Sequence, residues 1–369
     1  MLPEPPLPAR RSVTRFSPTL LEVINTCNLQ AAFILDPAFR GLRRPTPAAL
    51  LGQAAHRLLE EAARGRFSSV PPGELAAGLQ SAWDDEMREA AARLVEGRLA
   101  QPPPPPDWPG YELTRVRLLR RLARQLGQPR PTGQATASAS IERPLEDPRT
   151  GLHGRPDRVE QVGHLVRVVD AKTGLAQVDI RLEQRRQLLL YAYLVRQQLG
   201  RWPDEIAVED VAGRRLVEPV QAQDAVAVVQ EAVTAVREFN DRLARSPSLL
   251  TIASPSAEAC RHCPFRVICW PFWQAVQEDW RLPPSFAGLV HEVREDLHLL
   301  VLHADAPRWA AEREVRVLRV PRSVAKAGQA IGVVDAAPAG TSQVRVRWQT
   351  QLTTWSAGHG DRPDRAPGC

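Results

Sequence analysis

The chain has 369 residues, 43% of them hydrophobic, which is enough for a main domain with its own core and a smaller second domain. Its formal charge is +6 and its pI is near 9.5, a balance that favours a polyanionic partner without identifying one. No apolar run is long enough to span a bilayer, so the sequence excludes a transmembrane helix.

The N-terminal stretch, residues 1–13, is rich in Pro and Arg and is predicted to be a disordered leader. It lacks the charged-then-apolar order of a secretory signal. The five cysteines do not resemble a disulfide framework and favour a reducing compartment. We therefore expect a cytoplasmic protein with no membrane partner.

Helix signals dominate the first third of the chain. A helix is predicted to begin after Ser17, a good N-cap followed by proline. After a Pro-rich break at 45–47, a second helix carries His56 in its middle and ends near Gly65. Residues 66–126 are predicted to be a helical insertion, interrupted by a run of five prolines that forms a stiff spacer.

The most informative stretch is GRPDRVEQVGHLVRVVDAKTG, residues 154–174. Its apolar run at 165–169 is rich in β-branched residues and predicts a strand. Side chains alternate along a strand, so Asp170 and Lys172 share a face, and the preceding turn brings Asp157 towards them. Two carboxylates and an ammonium crowded at a strand end are costly unless a cation or a phosphate binds there.

This arrangement suits a metal-dependent phosphodiester hydrolase, because Mg²⁺ binds through one or two carboxylates together with substrate phosphates. Only two of the 48 basic residues are lysines, Lys172 and Lys326. An ammonium differs chemically from a guanidinium, so the lysine at 172 indicates a specific role. The alternative is a surface hairpin whose acidic and basic ends simply pair with each other.

The rest of the chain continues the alternation of helices and strands. A helix over about 181–199 places Gln187 and Tyr191 on one face. Next come a strand with the sequence IAVEDVA and a helix over about 221–245. Short β-type runs then predict a small β-barrel of the OB or SH3-like kind over 281–355. The tail, 356–369, is predicted to be disordered.

GRPDRVE, the strand ending in VVDAKTG and the following Gln187-x-x-x-Tyr191 resemble the PD-(D/E)XK nuclease superfamily. They look most like its RecB-type branch, which also has a histidine in a G-x-x-x-H setting, matched here by Gly52 and His56. The resemblance covers about 14–275. It implies an α/β fold with a restriction-endonuclease-like mixed sheet flanked by helices, which we expect to occupy residues 14–280.

The resemblance also implies roles for individual residues. Metal ligands for Mg²⁺ or Mn²⁺ would be His56, Asp157, Asp170 and the carbonyl of Ala171. Lys172 would be the catalytic lysine. Gln187 and Tyr191 would face the DNA and the active site.

A second pattern consists of Cys260-x₂-Cys263-x₅-Cys269, with Cys27 far upstream. It resembles the iron–sulfur subgroup of the same branch, which includes AddB-type helicase–nuclease subunits and the CRISPR adaptation nuclease. The resemblance implies a [4Fe–4S] cluster held by these four cysteines, a ligand set that such clusters take. Zinc is an alternative, with His262 able to replace Cys27. Unligated buried thiols are another, and Cys369 is expected to be a bystander.

The expected function is therefore a metal-dependent deoxyribonuclease, in particular an exonuclease acting on single-stranded DNA or free DNA ends. Repair, recombination and CRISPR adaptation all remain open as its pathway. The sequence contains no G-x-x-x-x-G-K-[ST] phosphate loop, so we expect any unwinding to come from a helicase partner. The alternative is a catalytically inactive iron–sulfur module that binds DNA or acts as a scaffold within a helicase–nuclease complex.

Overall fold

The structure, a computed structural model, describes residues 2–127, 138–141, 144–172, 178–307 and 313–356, with only the backbone described at 138–141. Its α-helices are, in chain order, α1 (Pro18–Thr26), α2 (Asn28–Leu35), α3 (Pro47–Ala63), α4 (Leu75–Val95), α5 (Tyr111–Gly127), α6 (Leu182–Leu199), α7 (Ala222–Arg245), α8 (Ala257–Arg261) and α9 (Trp270–Ala275). Its strands are β1 (Ser138–Ile141), β2 (Leu145–Asp147), β3 (Leu152–Gly154), β4 (Arg158–Val162), β5 (Leu165–Lys172), β6 (Glu205–Asp210), β7 (Arg215–Pro219), β8 (Phe286–Arg294), β9 (Leu299–Ala306), β10 (Glu314–Leu318), β11 (Ala330–Val334), β12 (Ala337–Gly340), β13 (Gln343–Arg345) and β14 (Gln351–Trp355).

A mixed sheet organises the first part of the chain. Within the described residues its strand order is β1-β4-β5-β6-β7. β5 and β6 run parallel and the other neighbours run antiparallel. Parallel neighbours need a crossover connection, and α6 provides it, packing against both strands. α7 packs against α6, and α1 packs against both helices, which confirms the expected α/β fold.

Local sequence accounts for where these helices begin and end. The Ser17 hydroxyl accepts a hydrogen bond from the backbone N–H of Leu20 at 3.2 Å, so it caps α1 as predicted. α6 ends at Leu199 and is capped by Gly200, which has a positive φ of 74° that glycine adopts without strain. α7 buries one face with apolar residues at helical spacing, from Ala225 to Leu243.

The helical insertion consists of α4 and α5, and it packs with α3 around a separate apolar core. Trp83 at its centre is fully buried, and its indole N–H donates to the hydroxyl of Tyr111 at 3.2 Å. α3 therefore presents one face to the insertion while its His56 faces the sheet. Over the described part of the chain, no helix combines the length and apolarity needed to cross a membrane.

The C-terminal strands form a second sheet, in the order β12-β13-β10-β9-β8-β11-β14 over the described residues. Its two edge strands, β12 and β14, do not pair with each other there, so the predicted barrel is not clearly closed. One face packs against the segment that carries the downstream cysteines. A Cβ on Gly332 of β11 would lie only 2.0 Å from the carbonyl oxygen of Val267. Only glycine permits this close approach.

The N-terminal leader is packed against the body of the protein instead of being disordered as predicted. Leu2 and Val13 are buried. The indole N–H of Trp355 donates to the carbonyl of Pro3 at 2.9 Å, and the N–H of Val13 donates to the Asn240 side chain at 2.8 Å. Composition suggested disorder, but these long-range contacts hold the leader. The predicted disordered tail lies outside the described residues from 357 onwards.

Candidate active site

Asp170 and Lys172 lie on one face at the end of β5, as the strand alternation predicted. Asp170 is buried, and the Lys172 ammonium donates a hydrogen bond to its Oδ1 at 3.1 Å. Its Oδ2 lies 2.8 Å from the same ammonium but, within the described part, accepts no hydrogen bond. Burial raises the pKa of Asp170, the Lys172 charge opposes the rise and the Asp157 charge adds to it.

Asp157 lies just before β4 and is tied to the end of β5. Its Oδ2 accepts the backbone N–H of Ala171 at 2.7 Å, and its Oδ1 lies 3.5 Å from Nδ1 of His56. Burial would raise the pKa of Asp157, but the nearby His56 ring and the Ala171 N–H outweigh it, so the pKa is lowered. The pKa values of the two neighbouring carboxyl groups are therefore shifted in opposite directions, down for Asp157 and up for Asp170.

His56 reaches the same strand from α3, 115 residues away in sequence. Its Nε2 lies 3.0 Å from the Ala171 carbonyl oxygen, while Nδ1 faces the Asp157 carboxylate. Both neighbours are acceptors, so the doubly protonated ring fits best. Burial lowers the pKa of His56, but the attraction of Asp157, Asp170 and the carbonyl outweighs it, and the net pKa is raised.

Gln187 and Tyr191 face the site from α6. The Gln187 amide donates to the Tyr191 hydroxyl at 3.3 Å. Burial raises the pKa of Tyr191, and the charges of Asp157 and Asp170 raise it further against the opposing Gln187 hydrogen bond. The Tyr191 ring lies over Gly154, where a Cβ would be 2.6 Å from its Cε1. That close approach explains why a glycine begins the GRPD turn.

The structure thus brings together every residue of the predicted active site. An ion pair that the sequence did not predict joins two segments of the site, since it links Glu60 of α3 to Arg155, two residues before Asp157. Glu60 lies one turn after His56 on α3 and forms ion pairs with Arg64 and, at 3.8 Å, with Arg155. The sequence feature that could have indicated this pair is that Glu60 and Arg155 lie close to His56 and Asp157 along the chain. The side chains of Arg64 and Arg155 are both largely exposed, whereas that of Glu60 is mostly buried.

The back of the site is braced by an ionic network on the opposite face of the sheet. Glu209 of β6 is aligned with Ala171 of β5, and its carboxylate is almost fully buried. It binds the guanidinium groups of Arg121 from α5 at 2.5 Å, Arg158 at 2.9 Å and Arg215 at 2.5 Å. In the sequence alone, Glu209 is an unfavourable residue for a strand and carries no sign of this role.

The four cysteines of the second pattern also converge. Cys27, Cys260, Cys263 and Cys269 line one small cavity of about 20 Å³ together with Phe265, Arg266 and Phe272. All four are free thiols. Burial raises the pKa of Cys263 to about 12 and also raises the pKa of Cys269 and Cys260. Thiolates therefore need a compensating cation in this cavity.

No preassembled metal-binding group of three or more His, Cys, Asp or Glu side chains is present in the part of the chain that the structure describes. The donors at both sites nevertheless fit the groups that the resemblance implied. At the active site, Asp170 offers a buried oxygen without a hydrogen bond. In the cysteine cavity, the donor set is four sulfurs, which suits an iron–sulfur cluster or zinc.

Comparison with known proteins adds a family assignment. The model of the PD-(D/E)XK nuclease superfamily matches residues 15–270, more than half of the chain. No curated protein matches the chain. The matched region includes His56, Asp157, Asp170 and Lys172 together with the whole mixed sheet, and members of the superfamily are generally nucleases that commonly use divalent metals. This chain, with its acidic pair and lysine at the end of a central strand, belongs to the PD-(D/E)XK nuclease superfamily.

Proposed function

We propose that the chain is a metal-dependent deoxyribonuclease, with His56, Asp157, Asp170 and the Ala171 carbonyl as ligands for Mg²⁺ or Mn²⁺. The observation that carries the proposal is the buried carboxylate of Asp170. It is buried close to the negative charge of Asp157, and among the described residues the Lys172 ammonium is the cation that contacts it, 2.8 Å from Oδ2. Hard divalent cations bind carboxylate oxygens, so a bound cation would offset the free-energy cost of burying this carboxylate.

The residues of the site would divide the work between them. A bound divalent cation supplies polarisation of the scissile phosphate and a lower pKa for an attacking water. Lys172, positioned by Asp170, donates to that water or to the phosphate oxygens as negative charge grows. To act as a ligand, the doubly protonated His56 would first release one proton to solvent. Gln187 and Tyr191, joined by their hydrogen bond, shape the wall that faces the DNA.

We assign the chain to the RecB-type branch of the superfamily. Two observations support this: His56 on α3 contacts the carbonyl at the end of β5, and the Gln187-x-x-x-Tyr191 face of α6 meets the same site. The branch assignment favours an exonuclease on single-stranded or free-ended DNA. It also favours a helicase or CRISPR partner that prepares such DNA.

We further propose that Cys27, Cys260, Cys263 and Cys269 hold a [4Fe–4S] cluster. Their convergence on one cavity supports a shared ligand, since Cys27 comes from the start of α2 and the others lie more than 230 residues later. Four cysteines also match the cluster's usual ligand number. Joining such distant segments stabilises the fold by closing a long loop in the unfolded chain.

Cluster and zinc are distinguished by colour and metal content. Anaerobically purified protein should be brown, with visible absorption that bleaches on reduction, and should contain iron and acid-labile sulfide. The Cys260→Ser variant should lose both, whereas Cys369→Ser should keep them. A colourless protein with one equivalent of zinc would refute the cluster and support the zinc alternative.

Nuclease activity is tested by digestion of end-labelled single- and double-stranded DNA. Wild-type protein should shorten DNA with Mg²⁺ or Mn²⁺ and stop when EDTA is added. Asp170→Asn should abolish cleavage while DNA binding is largely retained. Wild-type protein that binds DNA but never cleaves it would instead support the inactive DNA-binding module.

A further inference from the structure

Two half-buried arginines, Arg44 and Arg98, meet at the junction of three segments: the loop before α3, the loop after α4, and the connection from β13 to β14. Other buried guanidinium groups in the described chain, such as those of Arg121 and Arg266, pair with carboxylates. Among the described residues, Arg44 and Arg98 form no ion pair.

Within the described part of the chain, their hydrogen bonds go to neutral backbone carbonyls. Arg44 donates from Nη1 to the carbonyl of Thr350 at 3.2 Å. Arg98 donates to the carbonyls of Leu94 at 3.2 Å, Trp348 at 3.4 Å and Pro45. A guanidinium has five N–H donors, and Arg44 uses one of them within the described residues. The remaining donors can therefore bind another acceptor.

The electrostatics of the pair favour an anion. Burial and the adjacent charge of Arg98 lower the pKa of Arg44 to about 10. Burial also lowers the pKa of Arg98. Two like charges held together without a counter-ion repel each other, and a bound anion relieves that repulsion. Guanidinium groups match the geometry of phosphate oxygens especially well.

We propose that Arg44 and Arg98 together bind one backbone phosphate of the DNA strand that the active site cleaves. This inference rests on the proposed nuclease function. α3 links the two places: it begins at Pro47, just after Arg44, and carries His56. The rise of a helix over those nine residues is about 14 Å, or roughly four nucleotide steps of a duplex strand. The phosphate would therefore lie several nucleotides from the scissile bond.

The test is the salt dependence of DNA binding, measured in EDTA by fluorescence anisotropy with a labelled single-stranded oligonucleotide. The double variant Arg44→Gln, Arg98→Gln removes both charges but keeps an amide donor at each position. Loss of one phosphate contact should reduce the slope of log Kd against log salt by about 0.7, with affinity weakened equally for different sequences. Arg88→Gln is the control, since Arg88 is exposed on α4 and pairs with Asp85. It should leave the slope unchanged.

If the double variant does not fold, as judged by its thermal transition, Arg44→Gln and Arg44→Lys are compared. The lysine variant should keep the slope, whereas the glutamine variant should reduce it by a part of the ~0.7 expected for the double variant, because Arg98 remains on the phosphate. An unchanged slope in folded charge-removing variants would overturn the inference even if wild-type protein cleaves DNA. Failure of the wild type both to bind and to cleave DNA would instead overturn the proposed function.

Discussion

The Glu209 network behind the active site allows a quantitative prediction for the Glu209→Gln variant. Burial would raise the pKa of Glu209, but the charges of Arg158, Arg121 and Arg215 outweigh it and lower the pKa from 4.5 to about 2. A lowering of this size corresponds to about 3 kcal/mol of folding stability at pH 7. The substitution also leaves the buried guanidinium of Arg121 without its carboxylate. We therefore expect a loss of about 3–5 kcal/mol in the free energy of unfolding.

The sign of the pH dependence follows from the lowered pKa. The stabilisation by Glu209 is fully present above pH 4.5 and is lost as the pH falls towards about 2. Urea unfolding should show the full difference between wild type and Glu209→Gln at pH 7 and a difference smaller by about 2 kcal/mol at pH 3. Glu314→Gln is the control, because Glu314 is exposed and pairs with Arg316 at the surface. It should change stability by less than about 1 kcal/mol. A cost for Glu209→Gln below 1 kcal/mol, or one independent of pH, would refute this reasoning.

Two further predictions concern glycines in close contacts. Gly154→Ala places a Cβ 2.6 Å from Tyr191, so it should reduce DNA cleavage and lower the free energy of unfolding by about 1–3 kcal/mol. Gly73→Ala has no neighbour within 4 Å and should change neither quantity in the same cleavage and unfolding assays. Gly332→Ala places a Cβ 2.0 Å from the Val267 carbonyl, so it should push the C-terminal sheet away from the cysteine segment and lower the melting temperature. Gly41→Ala is the control and should leave the melting temperature nearly unchanged. Equal melting temperatures for the two variants would contradict the packing of the sheet on this segment.

Much of the active site could be predicted from sequence because its central part is local. Asp157, Asp170 and Lys172 lie on one hairpin, where strand alternation determines which side chains share a face. His56 could be placed only through the family resemblance, because no periodicity relates a helix to a strand 115 residues away. The same resemblance brought Cys27 together with the three downstream cysteines.

The features that were missed depend on partners distant in sequence. Glu209 looks unfavourable in a strand until Arg121, 88 residues upstream, packs over it. Arg44 and Arg98 are held together by hydrogen bonds to the carbonyl groups of Thr350 and Trp348, far along the chain. Strand order in the C-terminal sheet also depends on pairing between segments that are distant in sequence. The alternation of apolar and polar residues therefore predicted strands there, but it could not predict whether they close into a barrel.

The central claim, that Lys172 and the carboxylates beside it cut DNA, is tested most directly by comparing the chain's two lysines. Lys326 lies exposed in a turn of the C-terminal sheet, so Lys326→Ala serves as the matched control. With Mg²⁺ and end-labelled DNA, Lys172→Ala should cleave at least about 100-fold more slowly than wild type, a loss typical of removing one group that stabilises transition-state charge. Lys326→Ala should cleave at the wild-type rate. Cleavage by Lys172→Ala at the wild-type rate would contradict the account.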